Sequence, residues 1–292
     1  MVDPPQRPWG ATFFPALFVL LWSTGFIAAK YGLPYAPPLT FLLYRFVLVA
    51  LLMLAVAVVT RAPWPRVWRD YAHVAVAALL VHGLYLGGVF VALDGGMPAG
   101  TSAMLVGLQP ILTVFLASLW LHERVGSRQW AGLALGLAGV YLVIRHKIDF
   151  AGGHNGLLPS AVALIGISVG TLYQKRNAGH VDLRSGAVIQ FAACALVYAP
   201  LALLLETRAV QWVPPFLFAL GWSVVVLSVG AISLLYWLLR HGAASGVARL
   251  FYLVPPVTAV ESWLLFGETL DALAIAGMVM IATGVILARP RS

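Results

Sequence analysis

The sequence predicts an all-α membrane protein of ten transmembrane helices, arranged as two inverted five-helix repeats. Three observations carry this: the composition, a succession of apolar runs long enough to span a bilayer, and an internal repeat with a period of 145 residues. Hydrophobic residues make up 61% of the 292 positions and charged residues only 10%. A soluble domain holds roughly 25% charged residues, so most of this surface must face something other than water. The net charge of +8 could suggest nucleic acid. That reading requires basic residues clustered on polar surface with aromatics to stack on, whereas here they sit in short gaps between apolar runs, as membrane orientation requires. Nucleic acid is therefore excluded as a partner. Cys194 is the sole cysteine, so no internal disulfide or cysteine-rich metal site can form, and its apolar surroundings mark it as a small buried residue.

A spanning helix needs about 20 apolar residues. Ten runs qualify: 12–29, 39–59, 71–93, 99–120, 129–144, 156–173, 185–205, 215–239, 245–266 and 272–288. The first follows Arg7 and could imitate a signal peptide, but it is long and lacks a clear small-residue cleavage site before Lys30, so it is kept as helix 1. The connections are short and hold Pro, Gly and charge. One set of them, with both termini, carries twelve basic residues, among them Arg61, Arg66, Arg69, Lys175, Arg176 and Arg184; the other set carries four, Lys30, Arg145, Lys147 and Arg208. The positive-inside rule then places both termini in the cytoplasm, which agrees with an even number of helices.

Shifting the chain by 145 residues superimposes its second half on its first, giving repeats over 1–148 and 149–292 within one membrane unit. Pro110 falls on Pro255, Thr113 on Thr258, Glu123 on Glu268, Gly132 on Gly277 and Gly139 on Gly284; Gly25, Lys30 and Phe46 fall on Gly170, Lys175 and Phe191. Over 99–142 there are 13 identities in 44 positions without a gap. Five helices per half means that the second half enters the membrane from the opposite face, an arrangement common in secondary transporters and suited to alternating access. Gln109-Pro110 and Pro255-Pro256 interrupt corresponding helices. Proline frees a backbone carbonyl within a span, and paired interruptions point to a midplane site or gate.

Three stretches, residues 21–46 (LWSTGFIAAKYGLPYAPPLTFLLYRF), 109–142 (QPILTVFLASLWLHERVGSRQWAGLALGLAGVYL) and 255–287 (PPVTAVESWLLFGETLDALAIAGMVMIATGVIL), together with the repeat, resemble the EamA-type exporters of the drug/metabolite transporter superfamily. The resemblance spans essentially the whole chain. Its clearest elements are Glu123 with Gly132 and Gly139, and Glu268 with Gly277 and Gly284. It implies a bacterial inner-membrane carrier that exports amino acids or related metabolites through a central cavity between the halves. Glu261 departs from the family pattern, which has a small apolar residue there.

Ionisable groups within a span are costly, and mark a pathway or a buried pair. His82 lies near the middle of helix 3 with Tyr85 one turn on along the same face, and it can bond substrate or carry a proton. Arg45 can meet a substrate carboxylate or pair with Glu261; Arg249 can snorkel to the interface. Gln109, Trp22, Tyr173 and Tyr252 complete the candidate cavity wall, with Tyr44, Tyr236 and Trp263 as further aromatics that could instead pack on neighbours. Gly132 and Gly136 form a small-xxx-small pattern for close helix packing, and helices 5 and 10, almost without polar residues, serve as peripheral supports. Gly166–Gly170 matches G-x-S-x-G, but that motif needs a strand–turn–helix context and here lies inside an apolar helix, so an intramembrane enzyme is not expected. No P-loop or HExxH is present; transport would be secondary or facilitated, with no cofactor and with proton coupling left open. The expected partners are a small-molecule substrate and the bilayer, with no obligate protein partner evident. A carrier of phosphorylated or other organic anions is the alternative, decided by whether two or more of Lys30, Arg45, Lys175 and Arg249 converge on one cavity.

Overall fold

In hydrocarbon the backbone must satisfy its own polar groups, which leaves helices as the means of crossing for a chain with this hydropathy. The computed structural model describes residues 10–121, 126–144, 156–207, 209–241, 250–268 and 271–287, and every regular element among them is helical. Among the described residues six helices are long and apolar enough to cross a bilayer, at Phe13–Tyr35, Pro38–Val59, Trp68–Asp94, Leu157–Asn177, Leu183–Leu205 and Pro214–Leu234. In chain order the helices are α1 Gly10–Gly32, α2 Pro38–Val59, α3 Trp68–Asp94, α4 Ala99–Val106, α5 Gln109–Leu121 and α6 Ser127–Ile144, followed by α7 Leu157–Asn177, α8 Leu183–Leu205, α9 over 214–241, α10 Val254–Phe266 and α11 Ala272–Leu287.

The sequence ran one helix through 99–120; the structure breaks it at Gly107 and Leu108. The cause is Pro110, whose ring excludes the carbonyl four residues back, and that residue, Val106, is where α4 stops. The corresponding break in the second half is the 3₁₀ turn Phe251–Leu253, after which α10 starts with proline in its first turn. Of the expected helix over 245–266, residues 245–249 lie outside the described residues. Gly267, at φ +67°, ends α10 in the left-handed conformation that glycine adopts without penalty.

Two further irregularities had no signal in the hydropathy. α3 widens to a π-helix over Leu79–Leu84, and α9 does so over Trp222–Ala231. Such widening disturbs the backbone ladder, and side chains meet the affected carbonyls. Tyr198 Oη donates to Gly83 O at 2.8 Å, and Cys194 Sγ approaches Ala78 O at 3.4 Å, both from α8. Ser228 Oγ donates to Ser223 O within α9 at 3.0 Å. At the start of α2 the exposed backbone amides find a carboxylate from a distant part of the chain. Glu206 accepts from Leu39 N and Thr40 N at 2.8 Å each and from Thr40 Oγ1 at 2.7 Å, placing negative charge at a helix N-terminus. Asp182 caps α8 by accepting from Arg184 N at 2.9 Å, and the adjacent Arg184 guanidinium holds its carboxyl below the ordinary carboxylate value.

The packing has a regular plan. α1 packs on α9 and α10; α7 packs on α3, α4 and α5; α2 packs on α8, and α6 on α11. Residues 145 apart begin α2 and α8, α5 and α10, and α6 and α11, and residues 145 apart end α1 and α7. Phe18, Phe41, Phe46, Phe90 and Phe216 are fully buried at the centre of the bundle, whereas Val59, Leu196 and Leu204 are among the apolar side chains left facing outward. α6 and α11 meet backbone to backbone. A Cβ on Gly284 would sit 2.5 Å from Gly132 O, and one on Gly139 would sit 2.6 Å from Gly277 O. Only glycine permits that approach, the close packing expected of small residues in membranes.

Gly284→Val forces α6 and α11 apart, and overpacking of this kind costs about 1–3 kcal/mol. Thermal unfolding in detergent should show a lowered midpoint for this variant. Gly221→Ala, where an added Cβ meets nothing within 4 Å, should match the unmodified protein.

Candidate functional site

The helices that meet at the centre leave a cavity of about 610 Å³ between α1, α2, α3, α5, α7 and α9, with Phe251 also on its wall. Of the residues singled out from the sequence, Trp22, Arg45, His82, Tyr85, Gln109 and Pro110 line it. The interruptions of the helices explain their placement. The π-helical turn of α3 carries His82 and ends at Tyr85, that of α9 carries Ser228, and the break before α5 presents Gln109 and Pro110. The rest of the wall is apolar, aliphatic and aromatic together: Trp22 packs edge-on against Phe251 with ring centres 5.1 Å apart, and His82 stacks on Phe191 at 4.7 Å and 23°.

The polar groups on this wall are few and unevenly satisfied. His82 Nε2 lies 3.1 Å from Gln190 Oε1, an acceptor, so Nε2 is the nitrogen that donates. Arg45 is 7% exposed; its Nη2 reaches Ser228 Oγ at 3.5 Å, and its Nε has no partner. Thr113 Oγ1, also on the wall, is buried and unpartnered. Thr171, also on the wall, is satisfied within its own helix, its Oγ1 donating to Ile167 O at 2.8 Å. No Asp or Glu lines the cavity among the described residues.

A second cavity of about 760 Å³ shares His82, Phe191, Ser228 and Ile232 with the first and extends to Gln174, Asp182 and Arg184, between α7 and α8. At the opposite end of α1, Lys30 and Glu268 form an ion pair. Glu268 also accepts from Ser262 Oγ, and from Ala99 N at 3.3 Å. Lys30 Nζ stands 5.1 Å over the Phe266 ring. This network ties α1, α4 and α10 together at that end.

Several sequence-stated candidates lie elsewhere. Tyr173 does not line the central cavity; its hydroxyl meets His73 Nδ1 at 2.8 Å, bridging α7 and α3. Glu261 does not pair with Arg45. Ser23 Oγ donates to its Oε1 at 2.7 Å, and its Oε2 is buried without a partner. α10 carries Glu261 toward α1, whereas Arg45 on α2 faces α9. Pro255 lines a small adjoining recess and Pro256 a separate apolar groove against α11. Lys175 is exposed. Glu123, Arg249 and the side chains of Tyr252 and Tyr236 lie outside the described residues. No group of three or more His, Cys, Asp or Glu that could hold a metal occurs among the described residues.

Sequence reasoning missed Gln190, Ser228, Phe26, Phe90, Phe191 and Phe251. A signal for Gln190 was available, since it stands 145 residues after Arg45. The two are related in geometry as in sequence: Arg45 reaches from α2 to α9, and Gln190 from α8 to α3. Three further pairs at that spacing, Trp22 with Ile167, Phe26 with Thr171 and His82 with Leu227, line the same cavity. A lone phenylalanine in an apolar span has no comparable mark.

The family model described as the EamA-like transporter family matches the chain twice, over residues 9–145 and 154–289. The uncharacterized transporter YvbV of Bacillus subtilis is 30% identical to this chain, over 95% of the chain and 90% of the relative. A probable amino-acid metabolite efflux pump of Salmonella typhimurium is 27% identical over 94% of the chain and 93% of the relative. A probable terminal-alkyne amino-acid exporter of Streptantibioticus cattleyicolor is also 27% identical, over 94% and 92% respectively. A solved crystal structure aligns with a TM-score of 0.64 over 96% of both chains at 21% identity, a likeness of fold.

His82→Ala and Gln109→Ala each remove a polar group from the cavity wall, and each should lower the transport rate about tenfold, the loss of one well-placed hydrogen bond, while membrane insertion stays intact. Tyr173→Phe, outside the cavity, should stay within about twofold of the unmodified rate. Flux measured at equal protein density separates the two classes.

Proposed function

The chain belongs to the EamA-like transporter family, and on that premise we propose that it is a secondary exporter of small metabolites, foremost amino acids, working by alternating access through the central cavity. It is a multi-pass membrane transporter and not an enzyme. Two relatives bear names that specify amino-acid export, which supports that substrate class here. The membrane we assign is the bacterial inner membrane, named for the relative YedA of Escherichia coli. The composition of the loops supports cytoplasmic termini.

We read the architecture as ten spans in two inverted repeats over 1–148 and 149–292. Three observations support this: the two successive matches of one family model, the helix ends that recur 145 residues apart, and contacts of α1 with α9 and α10 that recur as contacts of α7 with α3, α4 and α5. The broken helix α4–α5, joined to α6, then counts as spans 4 and 5, and α10 and α11 as spans 9 and 10. The single observation that carries the functional reading is that positions 145 residues apart, such as Trp22 and Ile167, line one cavity. A cavity on the axis between two inverted halves can be exposed to either face by exchanging their conformations. In the present arrangement the Lys30–Glu268 pair joins helices at one end, and the second cavity extends from the first toward Asp182 and Arg184 at the other. By the charge bias that latter end is cytoplasmic, which supports reading the arrangement as inward-facing.

The anion-carrier alternative rested on two or more cations converging. Among the described residues Arg45 lines the central cavity, Lys30 is paired with Glu268, and Lys175 is exposed elsewhere, which favours substrates of lower charge than a phosphate ester.

Counterflow of labelled amino acids and their derivatives into proteoliposomes tests the proposal. Saturable, protein-dependent exchange is expected, and an imposed pH gradient reports whether a proton moves with the substrate. No exchange for any of them by a correctly inserted protein would overturn it.

A further inference from the structure

The central cavity is better matched to one charge type than its assignment to amino acids requires. Arg45 is a buried guanidinium whose Nε has no partner and whose nearest acceptor, Ser228 Oγ, sits at the outer limit of hydrogen bonding. A buried charge is normally neutralised by a counter-charge and saturated with hydrogen bonds. No carboxylate of the described residues is on the cavity wall. The nearest acid in the adjoining space, Asp182, is already bound to Arg184 through two contacts of 3.0 and 3.1 Å. Glu261, a partly buried acid, accepts from Ser23 on α1 and does not line the cavity. Among the described residues the cavity therefore presents the positive charge of Arg45, with an unfilled donor, to whatever enters.

Guanidinium is a planar fork of donors that fits a carboxylate. Thr113 Oγ1, a second unpartnered polar atom on the same wall, can meet a neutral oxygen of the same ligand. The remaining surface is apolar, with rings of Trp22, Phe90 and Phe191 beside aliphatic side chains such as Val81, Leu86 and Ile167, which suits an apolar, ring-sized body. What the described part of the wall lacks is an acid to pair with an ammonium group. Such a group would lose its hydration on entry and would be repelled by Arg45, with neutral groups such as Gln109 and Tyr85 and the ring faces to compensate. The free amino acid is thus unevenly matched: its carboxylate meets a charged partner and its amine only neutral ones.

From this geometry we infer that the cavity takes an organic monoanion with a carboxylate, an apolar ring-sized body and no free ammonium: an amino acid whose amine is acylated, or the corresponding 2-oxo acid. The inference rests on the transport reading only for its consequence, since the recognition itself is a binding event. It gives Arg45 the role of reading the carboxylate and makes the substrate one that carries net charge −1 out of the cell.

The test is calorimetric titration of the purified full chain, in detergent, with four probes that share one ring: N-acetylphenylalanine, phenylpyruvate, phenylalanine and phenethylamine. The two anions should bind at least tenfold more tightly than phenylalanine, and phenethylamine should show no binding. Arg45→Gln should bring N-acetylphenylalanine and phenylalanine to within threefold of one another. Should that variant fail to fold, the ranking on the unmodified chain decides alone. Phenylalanine binding as tightly as the anions, phenethylamine binding at all comparably, or none of the probes binding would overturn the inference. Because no flux enters this measurement, its failure alongside intact amino-acid counterflow removes the substrate class and leaves the carrier; the expected ranking without counterflow in vesicles removes the carrier and leaves the binding site.

Discussion

The constraint on which the structure depends is that a backbone group inside a bilayer must find a partner within the protein or face a water-filled space. Regular helices meet it by themselves. At several places among the described residues where the chain departs from regular helix, the departure is either answered by a named side chain or turned toward the cavity. Tyr198 answers Gly83 at the π-helical turn of α3, and Glu206 answers the amides that open α2. The break between α4 and α5 instead opens onto the cavity at Gln109 and Pro110. The irregular backbone and the candidate site coincide for that reason: each break costs hydrogen bonds, and the cavity is where such groups are tolerated.

The supporting frame has the opposite character. α6 and α11 touch through glycine backbone, with Gly139 against Gly277 and Gly284 against Gly132 and Gly136. α2 and α8 pack along the bundle, and their polar members, Arg45 and Gln190, reach across to the π-helical segments of α9 and α3. A close, side-chain-poor contact resists change, whereas a widened helix held by single hydrogen bonds can shift its register at modest cost. The division of labour between outer supports and irregular inner helices follows from which residues occupy them.

Much of this was legible in the sequence because its signals are collective. Apolar runs gave most helices to within a few residues, and the 145-residue shift found the paired prolines that mark the breaks at 107–108 and 251–253. Charged and polar residues in spans are rare, so Arg45, His82 and Gln109 stood out before their positions were known. The misses have physical causes. A π-helical turn changes hydrogen-bond register without changing composition, so neither Leu79–Leu84 nor Trp222–Ala231 could be read from hydropathy. Tyr173 and Glu261 carry the right chemistry, but helix rotation sends one to His73 and the other to Ser23, and rotation about the axis is what a one-dimensional pattern fixes least. The aromatic walls were invisible singly, because phenylalanine in a span serves lipid, core and cavity alike.

The claim at the centre of this account is that one cavity on the repeat axis is reached from a membrane face and occupied by substrate. The chain's single native cysteine, Cys194, is buried, so a thiol introduced at Ser228, which lines both cavities, can be followed in a Cys194→Ala background. The measurement is its modification by a membrane-impermeant thiol reagent added to one face of oriented vesicles at a time, with and without a transported compound. Modification is expected from the cytoplasmic face, slowed when substrate is present and shifted toward the opposite face under exchange conditions. A thiol at this position that reacts from neither face, or reacts from both at once and is indifferent to every transported compound, would contradict it.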